Sequence, residues 1–267
     1  MNNLKNHIAK YDKIGVGYNT TRQADPYLFS RLFYLLSPHI NGHYLDVGCG
    51  TGNYTIEFAN RGIRFTGIDP SNKMLLTAKT KSDKVNWLSG IAEELPFSDN
   101  SFDGAIATLT IHHWKNIKNG FKEIARVIKP GSRLVIFTSS PEQMDRYWLN
   151  HYFPELIKRS ALQMPSVEIV ELALKNAGFT VSAFEKYFVQ DDLKDLFLQC
   201  GKNRPEIYFD ENIRRGISTF ASLANRIEVE AGLKMLKDDI DYGGFQSVKQ
   251  KYESDEGDYV FIIAEKQ

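Results

Sequence analysis

The stretch Leu45-Asp46-Val47-Gly48-Cys49-Gly50-Thr51-Gly52 decides the reading of this chain. It closes an apolar run, His43–Val47, that reads as a short buried strand, and Tyr54, Ile56, Glu57, Phe58 and Ala59 after it read as the first turns of a helix. A strand that turns into a helix through glycines lets a ligand approach bare backbone, because glycine lacks a Cβ and accepts positive φ. The helix N-terminus adds unpaired N–H groups. The alternative is a glycine-rich turn that holds nothing.

The spacing narrows the ligand. A dinucleotide fingerprint runs G-x-G-x-x-G and seats pyrophosphate on the helix N-terminus. Here the order is Asp46-x-Gly48-x-Gly50-x-Gly52. A carboxylate at the strand end repels pyrophosphate and attracts an ammonium. S-adenosylmethionine fits that chemistry, with an amino-acid head, a sulfonium, an adenosine and no phosphate. Asp69 ends a second apolar run and precedes Pro70. It stands near the ~20 residues expected between the first glycine and a carboxylate that accepts ribose hydroxyls. An Asp before Pro in a turn is the structural alternative.

Composition removes several classes. The chain has 267 residues, 42% of them apolar, enough for a real core in one elaborated domain or two small ones. Lys+Arg and Asp+Glu balance at 33 each, so there is no global pull toward nucleic acid or an anionic membrane. No run reaches the ~18 apolar residues of a membrane span. The polar N-terminus lacks a signal peptide's apolar segment. The two cysteines, Cys49 and Cys200, form neither a disulfide framework nor a metal cluster, so no metal is expected and the expected compartment is the cytoplasm.

Apolar runs at 43–47, 64–68, 85–89, 102–108 and 133–139 alternate with helical patterns at 54–60, 73–80 and 118–127. This alternation predicts an α/β fold with a doubly wound, Rossmann-like, mostly parallel sheet. Cofactors on such sheets lie at the carboxyl ends of the strands. A helix over 167–176, a sixth strand over 179–189 and a seventh, antiparallel strand near 258–264 complete seven strands. The expected organisation is an N-terminal helical cap (1–40), a cofactor-binding core (41–140), an aromatic insertion (141–165), the core continued (166–189), a helical lid inserted between the last two strands (190–257) and the last core strand (258–267). Within the lid, helices are expected over 191–200 and 212–237.

These motifs resemble those of the class I S-adenosylmethionine-dependent methyltransferases, in the small-molecule branch related to ubiquinone/menaquinone methyltransferases. The glycine octet matches the first motif, and Ile68-Asp69-Pro70-Ser71 with Met74 the second. Gly90-Ile91-Ala92-Glu93-Glu94-Leu95-Pro96-Phe97 matches the third. Leu109-Thr110-Ile111-His112-His113-Trp114 and Arg126-Val127-Ile128-Lys129-Pro130-Gly131 match the stretches after the fourth strand and before the fifth. The resemblance implies that Gly48, Gly50 and Gly52 line the methionyl part of S-adenosylmethionine, with Asp46 near its amino group. Asp69 would hold the ribose, Met74, Ala92 and Glu93 the adenine, and Thr108 and Leu109 the methionine. The family commonly has Asp where this chain has Ile91. The N-terminal segment with Tyr11, Tyr18 and Arg22 resembles a stretch that covers the cofactor in this branch.

Methyl transfer is an in-line displacement that gives S-adenosylhomocysteine, so alignment dominates. A proton-bearing acceptor also needs a base, for which His112 and His113 are candidates. Trp148, His151, Tyr152, Phe153, Phe197, Tyr208 and Phe209 are expected to line an aromatic pocket for a small organic acceptor. The alternative is that they form the core of the added helical layer. Two other functions remain open: a methyltransferase acting on RNA or protein, and a cofactor-binding protein without turnover. Against a nucleic-acid acceptor, Ala107-Thr108-Leu109-Thr110 replaces the Asn/Asp-Pro-Pro-Tyr/Phe sequence of base-modifying enzymes, and no basic stripe is present.

Overall fold

A computed structural model describes residues 21–267, in which the apolar runs become strands β1 (His43–Val47), β2 (Arg64–Asp69), β3 (Asn86–Ser89), β4 (Phe102–Thr108), β5 (Ile128–Thr138), β6 (Phe179–Tyr187) and β7 (Tyr259–Lys266). They form one sheet in the order β3-β2-β1-β4-β5-β7-β6. The first five strands pair in parallel, and β7 runs antiparallel to both β5 and β6. The order reverses beside β1, which pairs with β2 on one side and β4 on the other. That switch point opens a crevice at the carboxyl ends.

The helices start where short polar side chains cap them. In α1 (Pro26–Leu36), Asp25 accepts the amide of Leu28 and Pro26 occupies the first turn. Next comes α2 (Asn53–Asn60), directly after the glycine loop. Ser71 caps α3 (Asn72–Lys81), Asn116 caps α4 (Ile117–Val127) and Ser140 opens α5 (Pro141–Asp145) with a capping box. The aromatic insertion continues as α6 (Leu149–Tyr152) and α7 (Pro154–Ala161), and α8 (Val167–Asn176) leads into β6. Phe121 and Ile124 of α4 and Val170 and Leu174 of α8 bury one face of the sheet. The other face shares a continuous core with α1, α2, the insertion and the lid, joined by Phe58, Phe137, Phe153, Tyr208 and Phe220.

The lid differs from its expected form. Residues 191–200 are turns and bends without a helix. Their backbone is held from outside instead: the amide of Lys194 donates to Asp25 and that of Leu196 to the carbonyl of Thr21. The single helix expected over 212–237 is three: α9 (Glu211–Gly216), α10 (Ser218–Leu223) and α11 (Arg226–Tyr242). The first break falls where Gly216 packs so tightly on Thr21 that a Cβ would lie 1.9 Å from its Oγ1. Asn225 makes the second break by capping α11. α12 (Phe245–Lys251) then returns the chain to β7.

Candidate active site

A cavity of about 450 Å³ lies at the carboxyl ends of β1 to β4, between the glycine loop below and the insertion and lid above. Gly48 and Gly50 line it at positive φ (78° and 54°), and an added Cβ on Gly50 would meet nothing within 4 Å. Gly50 therefore offers bare backbone to the cavity. Gly52 does not line the cavity as expected. At φ 76° it faces the ring of Trp87, 2.2 Å from where its Cβ would stand, and its task is the turn into α2.

Two carboxylates sit beneath this loop. Asp46 is 3% exposed; its Oδ2 accepts from Thr55 Oγ1 at 2.5 Å, while its Oδ1 is buried without a partner among the described residues. Burial pushes its carboxyl up to about 7, opposed by the Thr55 hydrogen bond and helped by neighbouring Asp69. Asp69 accepts the amides of Gly50 (2.9 Å, Oδ2) and Ser71 (2.8 Å, Oδ1). Burial raises it to about 6 against those two bonds. Cys49 between them has its thiol pushed well up by burial and by both carboxylates, which disfavours the reactive thiolate.

Further along the floor, Met74, Ile91, Ala92 and Glu93 line the cavity. Glu93 Oε1 accepts the amide of Asn116 at 3.0 Å, which ties this loop to the start of α4. Thr108 and Leu109 line the cavity at the end of β4. The Thr108 hydroxyl is buried without a partner among the described residues, and Leu109 holds φ 52°, a region that a branched side chain rarely occupies. His112 and His113 follow on a single 3-10 turn, Ile111–His113, with ring centroids 3.8 Å apart, and both face the cavity. Neither caps α4, since Asn116 does so.

Arg22 lines the cavity and pairs through Nε and Nη2 with the carboxylate of Asp195 from the lid. Sequence reading missed Asp195, because nothing in an acid-rich loop distinguishes the one carboxylate that returns to the glycine loop. Tyr11 and Tyr18 lie outside the described residues. Of the expected acceptor aromatics, only Phe197 lines the cavity. Tyr208 bonds Tyr147 OH at 2.6 Å, Trp148 donates to the Lys202 carbonyl at 3.0 Å, and Tyr152 donates to Asp239 at 2.8 Å. These rings make the core of the helical layer because their polar ends find partners there. His151 packs edge-on against Tyr152, Phe153 packs against Phe220, and Phe209 is partly exposed, all away from the cavity. The lid side is instead formed by Met144, Ser160, Gln163, Met164, Ile217 and Thr219.

Residues 45–136 match the family model described as a methyltransferase domain. The ubiquinone/menaquinone biosynthesis C-methyltransferase UbiE of Paracoccus denitrificans (strain Pd 1222) is 34% identical over 197 residues, covering 70% of this chain and 75% of that protein. A solved structure of a putative methyltransferase from an antibiotic biosynthesis pathway of Anabaena variabilis ATCC 29413 superposes with TM-score 0.82 at 32% identity, over 92% of this chain and 99% of that one. The O-methyltransferase resE of Aspergillus sclerotiorum is 34% identical over 163 residues, 56% of this chain and 59% of that protein. The chain spans about three fifths of that relative's length. The chain belongs to the class I S-adenosylmethionine-dependent methyltransferases, in the type 11 branch.

The residues present fit that family's methyl donor. The unpartnered Asp46 oxygen suits an ammonium, and the open side of Gly50 suits close backbone contact.

Proposed function

We propose that this chain binds S-adenosylmethionine along the glycine loop and transfers its methyl group to a small organic acceptor beneath the lid. The observation that carries the reading is the buried Asp46 carboxylate, with one oxygen unpartnered at the cavity floor beside an open Gly50. Such a group is costly to bury unless a cation or donor meets it. In this reading residues 41–140 hold the cofactor, and 141–165 with 190–257 hold the acceptor. The 1–40 segment contributes Arg22 as a cap.

Asp46 takes the cofactor's amino group, and Gly48, Gly50, Thr108 and Leu109 take its methionyl part. Arg22 stands where a carboxylate would reach it. Asp69 keeps acceptor capacity for ribose hydroxyls beyond its two amide bonds, since a carboxylate offers about four lone-pair sites. Met74, Ala92 and Glu93 bracket the adenine. Because Ile91 accepts no hydrogen bond through its side chain, the adenine amino group takes a backbone carbonyl there.

S-adenosylmethionine supplies an electrophilic methyl on a good leaving group. The chain's part is to align the acceptor with that methyl, exclude water and move one proton. His112 or His113 accepts the acceptor's proton at the cavity edge. The lid side offers thioethers, aliphatic groups, hydroxyls and an amide from Met144, Ser160, Gln163, Met164, Ile217 and Thr219, and its lining carboxylate, Asp195, is paired with Arg22. That lining suits an uncharged, largely apolar acceptor bearing oxygen. The O- and C-methyltransferase relatives are in keeping with such an acceptor.

The test is transfer of a radiolabelled methyl group from S-adenosylmethionine to quinols and phenols. Label should appear in the organic phase and fall at least about tenfold in His112→Gln or His113→Gln, as expected for loss of a general base. No label in any acceptor, with cofactor bound, would leave a binding protein without turnover.

A further inference from the structure

We infer that Asp195 is a positioning residue that makes closure of the lid depend on the cofactor end of the cavity. The inference rests on the glycine loop holding the cofactor. Asp195 sits on the lid, 173 residues from Arg22, and its carboxylate is 1% exposed. Arg22 Nε donates to Oδ1 and Nη2 to Oδ2 (3.2 Å), and Tyr54 OH donates to Oδ2 (3.0 Å). All three residues line the cavity at the carboxyl ends of the strands.

The same residues reach the glycine loop from the other side. The carbonyl of Arg22 accepts from Asn53 Nδ2 at 3.0 Å. Lys81 Nζ then donates to Asn53 Oδ1 (2.8 Å) and Thr51 Oγ1 (3.1 Å). A continuous polar chain therefore runs from the loop through Arg22 to the lid. The lid segment around Asp195 has no helix of its own. The amides of Lys194 and Leu196 beside it are tied to residues 21–25, while further on Gln199 donates to the Asp258 carbonyl and Tyr208 to the Leu198 carbonyl.

This layout has a mechanical consequence. Lifting the lid segment strips a buried carboxylate and a largely buried guanidinium of each other, which is unfavourable for both. Fixing Thr51, Asn53 and Arg22 from the cofactor side holds Asp195, and with it the part of residues 190–204 nearest Arg22, in place. Bound cofactor should thus order the lid before the acceptor enters, so that each ligand favours the state the other needs.

Hydrogen–deuterium exchange of residues 190–204 tests this, with and without saturating S-adenosylhomocysteine, in the wild type and in Asp195→Asn. In the wild type the ligand should slow exchange of this segment at least about tenfold, as expected when a local opening is suppressed. In Asp195→Asn the ligand should still bind, and slowing should fall to about threefold or less. A purely structural role would raise exchange in both states and leave the ligand effect intact, which overturns the inference. Should Asp195→Asn fail to fold, Tyr54→Phe carries the test, since it removes the hydroxyl that donates to Asp195 and accepts the Asp25 amide at 3.5 Å, and keeps the ring. A ligand effect equal to that of the wild type in Tyr54→Phe overturns the inference. Failure of the wild type to bind S-adenosylhomocysteine overturns both the inference and the reading it rests on. Binding with unchanged coupling overturns the inference alone.

Discussion

The carboxylate of Asp69 accepts the amide of Gly50 at 2.9 Å, so the end of β2 fastens the turn that follows β1. The other oxygen of Asp69 accepts the amide of Ser71, which caps α3. One side chain thus sets the shape of the loop and the start of the next helix. Asp69→Ala should weaken S-adenosylhomocysteine binding at least about tenfold by removing both the preorganisation and the ribose acceptor. Calorimetry on the two proteins measures it. Unchanged affinity would remove Asp69 from the site.

Asp46 predicts a pH dependence. Its carboxyl is raised to about 7 by burial, well above its ordinary value of 3.8. The folded protein therefore binds more protons than the unfolded chain between those values, and this group's contribution to stability falls as pH rises from about 4 to about 7. A ligand ammonium prefers the ionised carboxylate. Affinity for S-adenosylhomocysteine should rise by up to about tenfold per pH unit below 7 and flatten above it. Asp46→Asn should remove the part of the slope near pH 7 and leave only what Asp69, raised to about 6, contributes. An unchanged slope in that variant would place the titrating group elsewhere.

Leu109 carries backbone strain at φ 52° where β4 meets the cavity. Leu109→Ile keeps the atom count but adds a branch at Cβ, which that conformation tolerates poorly. The expected loss is about 1–3 kcal/mol in urea unfolding, from the cost of a strained αL residue. A loss below about 0.5 kcal/mol would mean that the backbone relaxes freely there.

Arg126 fastens the loop that follows the cavity-lining residues Ile91 to Glu94. Its guanidinium donates to the carbonyls of Phe97 (2.6 Å) and Leu95 (2.9 Å) and pairs with Glu123 (2.7 Å). Its pair with Asp99 adds little, because that carboxylate is 72% exposed. Arg126→Ala should cost about 2 kcal/mol by stranding the carbonyls and Glu123. Denaturant unfolding reads that loss, and Asp99→Ala should be nearly silent.

The parts legible in the sequence were those whose causes are local. The strand runs and the glycine loop each depend on a few consecutive residues, and β1 to β4 stand where their apolar runs do, while β5 starts five residues before its run, at Ile128. The lid was not legible in the same way. Residues 191–200 carry a helical pattern, yet contacts to Thr21 and Asp25, far away in sequence, decide their form. Likewise Trp148, Tyr152 and Tyr208 look like pocket walls in sequence. Their polar ends find Lys202, Asp239 and Tyr147 instead, and the pocket passes to less conspicuous residues such as Ser160 and Thr219.

The central claim is that the glycine-loop end of the cavity holds the methyl donor. Isothermal titration of the wild-type chain with S-adenosylhomocysteine near neutral pH tests it most directly. The account predicts saturable binding of one molecule per chain, weakened at least about tenfold in Asp69→Ala as loss of the ribose acceptor requires. The absence of binding to the folded wild-type chain would contradict it.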